Sequence, residues 1–239
     1  MFQTEPILYL QSLASDWLTF FMKSISAMGY DPFFVGVILF VLLGLNFRKG
    51  FLLLQLLLWS GVINTILKQF FDLPRPAYVD SNVQNLDIGR LNIPPFTNMG
   101  ANGFFEPLDQ RVLQTFRLQT HTSYGFPSGH VQGTATLWGG MSLLFKNQLI
   151  RWITPLMIVL MALSRMYLGR HFLADLLAGY LLSLVFILVF YHGIYRRRWF
   201  RDFFHGRWDR TPWGVRTWAI LAYLIVLPLV VLLIPYAQI

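Results

Sequence analysis

The sequence has no cysteine, and charged residues fill only 13% of its 239 positions. The first absence rules out a disulfide framework and any thiolate metal site. The second leaves about half the charge that a soluble domain carries. With 55% of residues hydrophobic, there is too little polar side chain to cover a water-facing surface, so the bilayer is the natural solvent. Acidic residues are also scarce, 11 against 19 basic ones, for a net charge of +8. That excess does not mark a nucleic-acid binder, because the basic residues cluster beside apolar runs in a membrane-topology pattern. The opening MFQTEPILYLQ lacks a basic n-region, so no cleaved signal peptide is expected. The loop aspartates Asp72, Asp80, Asp87 and Asp109 are scattered without ligand spacing, so neither a metal nor another cofactor is expected.

Six apolar runs are candidate spans, at about 33–47, 51–71, 131–145, 150–168, 172–191 and 218–234. A spanning helix needs roughly 20 residues, with ~17 as the lower end. The segment 7–28 is apolar but carries Asp16 and Lys23. It reads as an N-terminal amphipathic helix lying at the interface within residues 1–30, with a spanning helix as the alternative. Between the second and third runs lies the only long polar stretch, about 72–126, punctuated by Pro74, Pro76, Pro94, Pro95 and Pro107. A loop of that length inside a compact chain is usually functional. The expected fold is an all-α integral membrane protein in a single domain, 1–239. It is a six-transmembrane-helix bundle with short helices in an extramembrane cap over one face.

Charge sets the orientation. Arg48, Lys49, Lys146, Arg151 and the basic loop 192–216 fall on one side when the spans alternate. The positive-inside rule makes that side cytoplasmic. The cap then faces outward, toward the periplasm if the membrane is a bacterial inner membrane.

Residues 125–134, GFPSGHVQGT, place Pro127, Ser128, Gly129 and His130 at the lip of the third run. A helix start accounts for Pro and Ser, since Pro needs no N–H partner there and Ser caps well. Other features fall at the same face. Lys68 and Arg75 close the second run, Ser164 and Arg165 close the fourth, and His171 and Asp175 open the fifth. Each has an ordinary reading alone, as a flanking cation or an i, i+4 surface pair. Asp175, however, lies within an apolar run, where an ionisable group is expensive and usually functional. Three cations converging with a helix N-terminus make an anion site, and a dianionic phosphate is the obvious guest. An imidazole held by a carboxylate is an activated nucleophile. A second imidazole can protonate a leaving alkoxide.

These residues resemble the signature of the type-2 phosphatidate phosphatase superfamily of integral membrane lipid phosphatases. That signature is Lys, six residues, Arg-Pro; Pro-Ser-Gly-His; then Ser-Arg, five residues, His, three residues, Asp. Lys68, Arg75 and Pro76, then Pro127 to His130, then Ser164, Arg165, His171 and Asp175 match it in order without departure. The resemblance implies that His171 attacks phosphorus to form a phosphohistidine, with Asp175 holding its other ring nitrogen. His130 would protonate the departing lipid alkoxide and then activate water. Lys68, Arg75, Arg165, Ser128 and the Gly129 amide would bind the phosphoryl oxygens, with no metal implied. The implied partners are the bilayer and a membrane lipid phosphate: undecaprenyl diphosphate, phosphatidylglycerol phosphate or phosphatidate. An outward site suits a carrier-lipid diphosphate. Two alternatives stay open, a phosphotransferase that hands the phosphoryl group to an acceptor such as lipid A, and a non-catalytic lipid transporter or scaffold. Arg170 either assists phosphate or flanks headgroups. His121 reads as a surface loop residue.

Overall fold

The computed structural model describes residues 1–87, 95–119 and 123–197. Nine α-helices run through them: α1 (Glu5–Ser12), α2 (Asp16–Ala27), α3 (Asp31–Leu39), α4 (Phe47–Phe71), α5 (Pro76–Val79), α6 (Gln110–Arg117), α7 (Gly129–Phe145), α8 (Gln148–Tyr167) and α9 (Leu173–Phe190). Two π-helical turns, Phe40–Leu45 and Tyr191–Tyr195, extend α3 and α9.

Three stretches among the described residues are long and apolar enough to cross a membrane: Phe47–Val79, Gln148–Tyr167 and Leu173–Gly193. A fourth exists if Asp16–Ala27 and Asp31–Leu45, bent by 56° to one another, count as one broken span. Helix α7 has 17 residues, at the lower limit for spanning. The chain is therefore a mostly helical membrane protein. The sixth run, 218–234, and most of the basic loop lie outside the described residues.

The N-terminal segment differs from the single helix over 7–28 that its composition suggested. It is broken after Ser12, because Ser15 starts a new helix by accepting the Leu18 amide on its hydroxyl at 3.3 Å. Helix α1 instead belongs to the cap. Ile7 is buried with Val79, Val83, Leu108, Val112 and Phe172, and Thr4 donates to the fully buried Asp80 at 2.8 Å. The short helices α5 and α6 lie in the polar stretch, as expected.

Helix α7 is the hub of the bundle, packed against α4, α8 and α9. Its core contacts include Leu137 and Leu144 against Leu53, Leu56 and Phe190. Polar side chains stitch the same helices together. Thr136 bridges Ser60 and Ser183, each at 3.0 Å, and Gln132 donates to the Ser60 carbonyl at 2.9 Å. Within lipid such bonds each add modestly, but they also fix helix register. Helices α8 and α9 barely touch each other. The gap between them is an apolar groove of about 350 Å³, floored by Val131 and lined by Ile158, Ala162, Leu173, Leu176 and Leu177.

Candidate active site

Four helix ends meet beneath the cap, the C-termini of α4 and α8 and the N-termini of α7 and α9. Helix α8 stops at a glycine. Gly169 adopts a left-handed φ of +69°, its amide bonds the Met166 carbonyl, and the Arg170 amide bonds the Arg165 carbonyl, both at 3.0 Å. This double closure is the Schellman motif. It reverses the chain between Arg165 and His171, which is the physical content of the five-residue spacing. Helix α9 then starts at once. Asp175 stands at its third position and accepts the Phe172 amide at 2.9 Å, as a capping carboxylate does. The same Oδ2 faces His171 Nδ1 at 3.3 Å. The three-residue gap between His and Asp thus lets one carboxylate cap the helix and orient the imidazole.

The PSGH lip is bound to this corner through backbone. The Ser128 amide donates to the Asp175 carbonyl at 3.0 Å. From α4, Asn64 donates to Gln132 Oε1 at 2.8 Å and to the Pro127 carbonyl at 3.4 Å. Gly125 lets the chain before the lip pass close to the link between α4 and α5; a Cβ there would lie 2.6 Å from the Pro74 carbonyl oxygen. Helix α4 brings Lys68, which donates to the Tyr124 carbonyl at 3.1 Å. Arg75 follows, donating to the Arg170 carbonyl at 3.2 Å and to Ser123 Oγ at 2.6 Å.

All eight residues singled out from the sequence are thereby brought to one end of the bundle: Lys68, Arg75, Ser128, Gly129, His130, Arg165, His171 and Asp175. His171 feels Arg75, Arg165, Lys68 and His130 electrostatically. Burial, foremost, and these cations hold its imidazole well below the usual histidine range. It is therefore neutral at physiological pH. Arg165, His171 and Asp175 are each only 1% exposed.

The capping explanation for Ser128 does not hold. Ser128 is the N-cap residue of α7, yet its side chain makes no capping bond. It is fully buried and its Oγ has no partner among the described residues. Arg75 Nε, His130 Nε2, Arg165 Nε and Arg170 Nε are likewise buried without a hydrogen-bond partner. A buried donor left unpaired costs about 1–3 kcal/mol. A cluster of them, next to the first turn of α7, whose leading amides have no partner within the helix, suits an anion. Among the described residues no group of His, Asp and Glu has metal-holding geometry.

A family model described as the PAP2 superfamily matches residues 49–199. The chain belongs to the PAP2 superfamily. It is an enzyme of that superfamily, a phosphoric ester hydrolase. This PAP2 chain is 25% identical over 187 residues to a phosphatidylglycerophosphatase B of Bacillus subtilis, covering 72% of the chain and 74% of that protein. It is 33% identical over 79 residues to a lipid A 4'-phosphatase of Porphyromonas gingivalis, which is 32% of the chain and only a third (33%) of that relative's length. In fold it is similar to the crystal structure of a PAP2-type phosphatidylglycerolphosphate phosphatase from Bacillus subtilis, with a TM-score of 0.56 and 22% identity over 82% of this chain and 86% of that one. It is also similar to Aquifex aeolicus LpxE, with a TM-score of 0.58 and 19% identity over 79% and 94% of the two chains.

The PAP2 signature does not name every residue at the site. Tyr30 stacks edge-on against His130, with ring centroids 4.5 Å apart. Asp87 accepts from Tyr30 and from Arg165. Neither carries a sequence signal, because both reach the site through loops rather than helix periodicity. Arg170 stands beside Asp87, with Nε 3.6 Å from its carboxylate. His121 lies outside the described residues.

Proposed function

We propose that the chain hydrolyses the phosphate ester of a membrane lipid through a phosphohistidine intermediate, at the periplasmic face of a bacterial inner membrane. The observation that carries this reading is the set of buried, unpartnered polar atoms gathered around His171: Arg75 Nε, Ser128 Oγ, His130 Nε2 and Arg165 Nε. One phosphoryl group would give them partners.

Asp175 occupies Nδ1 of His171, so Nε2 is the nitrogen left to attack phosphorus. The neutral state of the ring makes it a competent nucleophile. As the P–N bond forms, the bond from phosphorus to the lipid oxygen breaks, and His130 gives that oxygen a proton. His130 then takes a proton from water, which attacks phosphorus, releases phosphate and restores His171. Lys68, Arg75, Arg165, Ser128 and the Gly129 amide hold the phosphoryl oxygens while charge builds on them. Side chains and the Gly129 amide supply this stabilisation, so the proposed reaction calls for no metal.

The lipid nature of the substrate is supported by the apolar groove between α8 and α9. Two of its lining residues, Val131 and Leu173, stand one residue from His130 and two from His171 in sequence. A phosphate at the site with hydrocarbon in that groove is the posture of a lipid at the membrane boundary. The positive-inside pattern supports the outward face, and the full reading keeps six spans with the sixth at 218–234. Phosphatidylglycerol phosphate, phosphatidate and undecaprenyl diphosphate are the candidate substrates, and the names of the relatives favour a lipid phosphomonoester.

Purified protein in detergent, given a panel of lipid phosphates, tests this. Phosphate release is expected from at least one of them, insensitive to EDTA, inhibited by vanadate and absent in His171→Ala. Strict magnesium dependence, or release by His171→Ala at the wild-type rate, would contradict it.

A further inference from the structure

Asp87 lies outside all three signature segments, yet its carboxylate is built into the cation cluster. Its Oδ2 accepts from the Tyr30 hydroxyl at 3.0 Å and from Arg165 NH1 at 3.2 Å, and Arg170 Nε stands 3.6 Å away. Its side chain is only 12% exposed. Arg165 does not need Asp87 to keep its place, because the same NH1 also donates to Ser26 Oγ. Tyr30, the third group on the carboxylate, is the residue stacked against His130. Burial lowers the Arg170 pKa, the neighbouring Arg165 lowers it further, and Asp87 works in the opposite direction.

The charge count around the site gives Asp87 a purpose. Lys68, Arg75, Arg165 and Arg170 sense one another. The carboxylates facing them are Asp175, which holds His171, and Asp87. Among the described residues, and setting aside the His130 proton that departs with the lipid alkoxide, this formally leaves an excess of two positive charges, which a dianionic phosphate ester cancels. Without Asp87 the excess would be three. We propose that Asp87 is a charge-balancing residue: it matches the site to a dianionic phosphomonoester rather than a diphosphate, and keeps the released phosphate from being held too tightly. The inference rests on the reading of this cluster as a phosphatase site. Its physics is Coulomb repulsion across a few ångströms of half-buried medium. A trianionic diphosphate feels that repulsion more than a dianion does.

Asp87→Asn tests it, since the amide oxygen still accepts from Tyr30 and Arg165 while the charge is gone. Inorganic phosphate and vanadate are expected to bind Asp87→Asn about tenfold more tightly than wild type, read by competitive inhibition and by thermal shift in detergent. Turnover should fall together with KM as product release slows. The ratio of kcat/KM for a prenyl diphosphate over the prenyl monophosphate of equal chain length should rise about tenfold. Asp87→Glu, which keeps the charge, should restore both readouts. Should Asp87→Asn fail to fold, Asp87→Ser carries the same expectation for phosphate affinity. Phosphate bound with equal or weaker affinity by the neutral variant overturns the proposal, because that is what a carboxylate that merely orients Arg165 would give. A wild-type chain that binds no phosphate at all would instead bring down the phosphatase reading, and this inference with it.

Discussion

Ser128→Ala separates two physical roles for one hydroxyl. If Ser128 capped α7, its loss would destabilise the protein by about 0.5–2 kcal/mol. The structure removes that role, since the side chain makes no capping bond and its oxygen is buried without a partner. Replacing an unsatisfied buried hydroxyl by a methyl relieves a desolvation penalty of about 1–3 kcal/mol, offset in part by lost packing. The variant should therefore be at least as stable as wild type. At roughly 2–4 °C per kcal/mol for a chain of this size, its melting temperature should stay level or rise by a few degrees. The backbone donation from Ser128 to Asp175 is unaffected, so the lip keeps its position. Activity should move the other way. Removing one donor to a developing phosphoryl charge costs about 10²–10³ in kcat. The assay pairs thermal unfolding in detergent with phosphate release from a lipid phosphate. A melting temperature lowered by several degrees with activity retained would refute the argument and reinstate the cap.

Gly179→Ala, in α9, would set a Cβ 2.6 Å from the Ser128 carbonyl oxygen; overpacking of about 1–3 kcal/mol and a lip pushed off α9 should lower activity more than tenfold. Gly61→Ala, whose Cβ would meet nothing within 4 Å, is the matched control and should be neutral or slightly stabilising in the same melts. Asn64→Ala leaves the buried Gln132 Oε1 without its donor, so a loss of about 1–2 kcal/mol should accompany a rise in KM in steady-state assays. For pH, His171 is held below its ordinary value of 6.5, so in acid the unfolded chain binds a proton that the folded one refuses. The His171 contribution to stability should shrink as pH drops below 6.5, and His171→Asn should remove that contribution in melts from pH 7 to 5.

The sequence picked out residues that the fold gathers at one end of the bundle, and it was less informative about the architecture around them. Lys68, Arg75, Ser128, His130, Arg165, His171 and Asp175 stood out because polar and charged side chains at the ends of apolar runs match a spaced signature. Those offsets have a local structural content: Gly169 turns the chain between Arg165 and His171, and Asp175 caps the helix that follows. The apolar runs gave α4, α8 and α9 closely. Residues 7–28 misled as one helix, since apolar periodicity runs straight through the break that Ser15 creates. The role of α1 was invisible for a different reason. Its burial against Val79 and Phe172 depends on contacts between distant parts of the chain, which no local pattern encodes. Asp87 was passed over as a scattered loop acid for the same reason, since only the folded cap brings it to Arg165.

The proposed mechanism requires His171 to become covalently attached to phosphorus. Rapid acid and base quenching of the enzyme mixed with ³²P-labelled lipid phosphate, followed by peptide mapping, tests it directly. Label is expected on the peptide carrying His171, labile in acid and stable in base, and none in His171→Ala. Label on a serine, or no label at any time point while turnover proceeds, would contradict it.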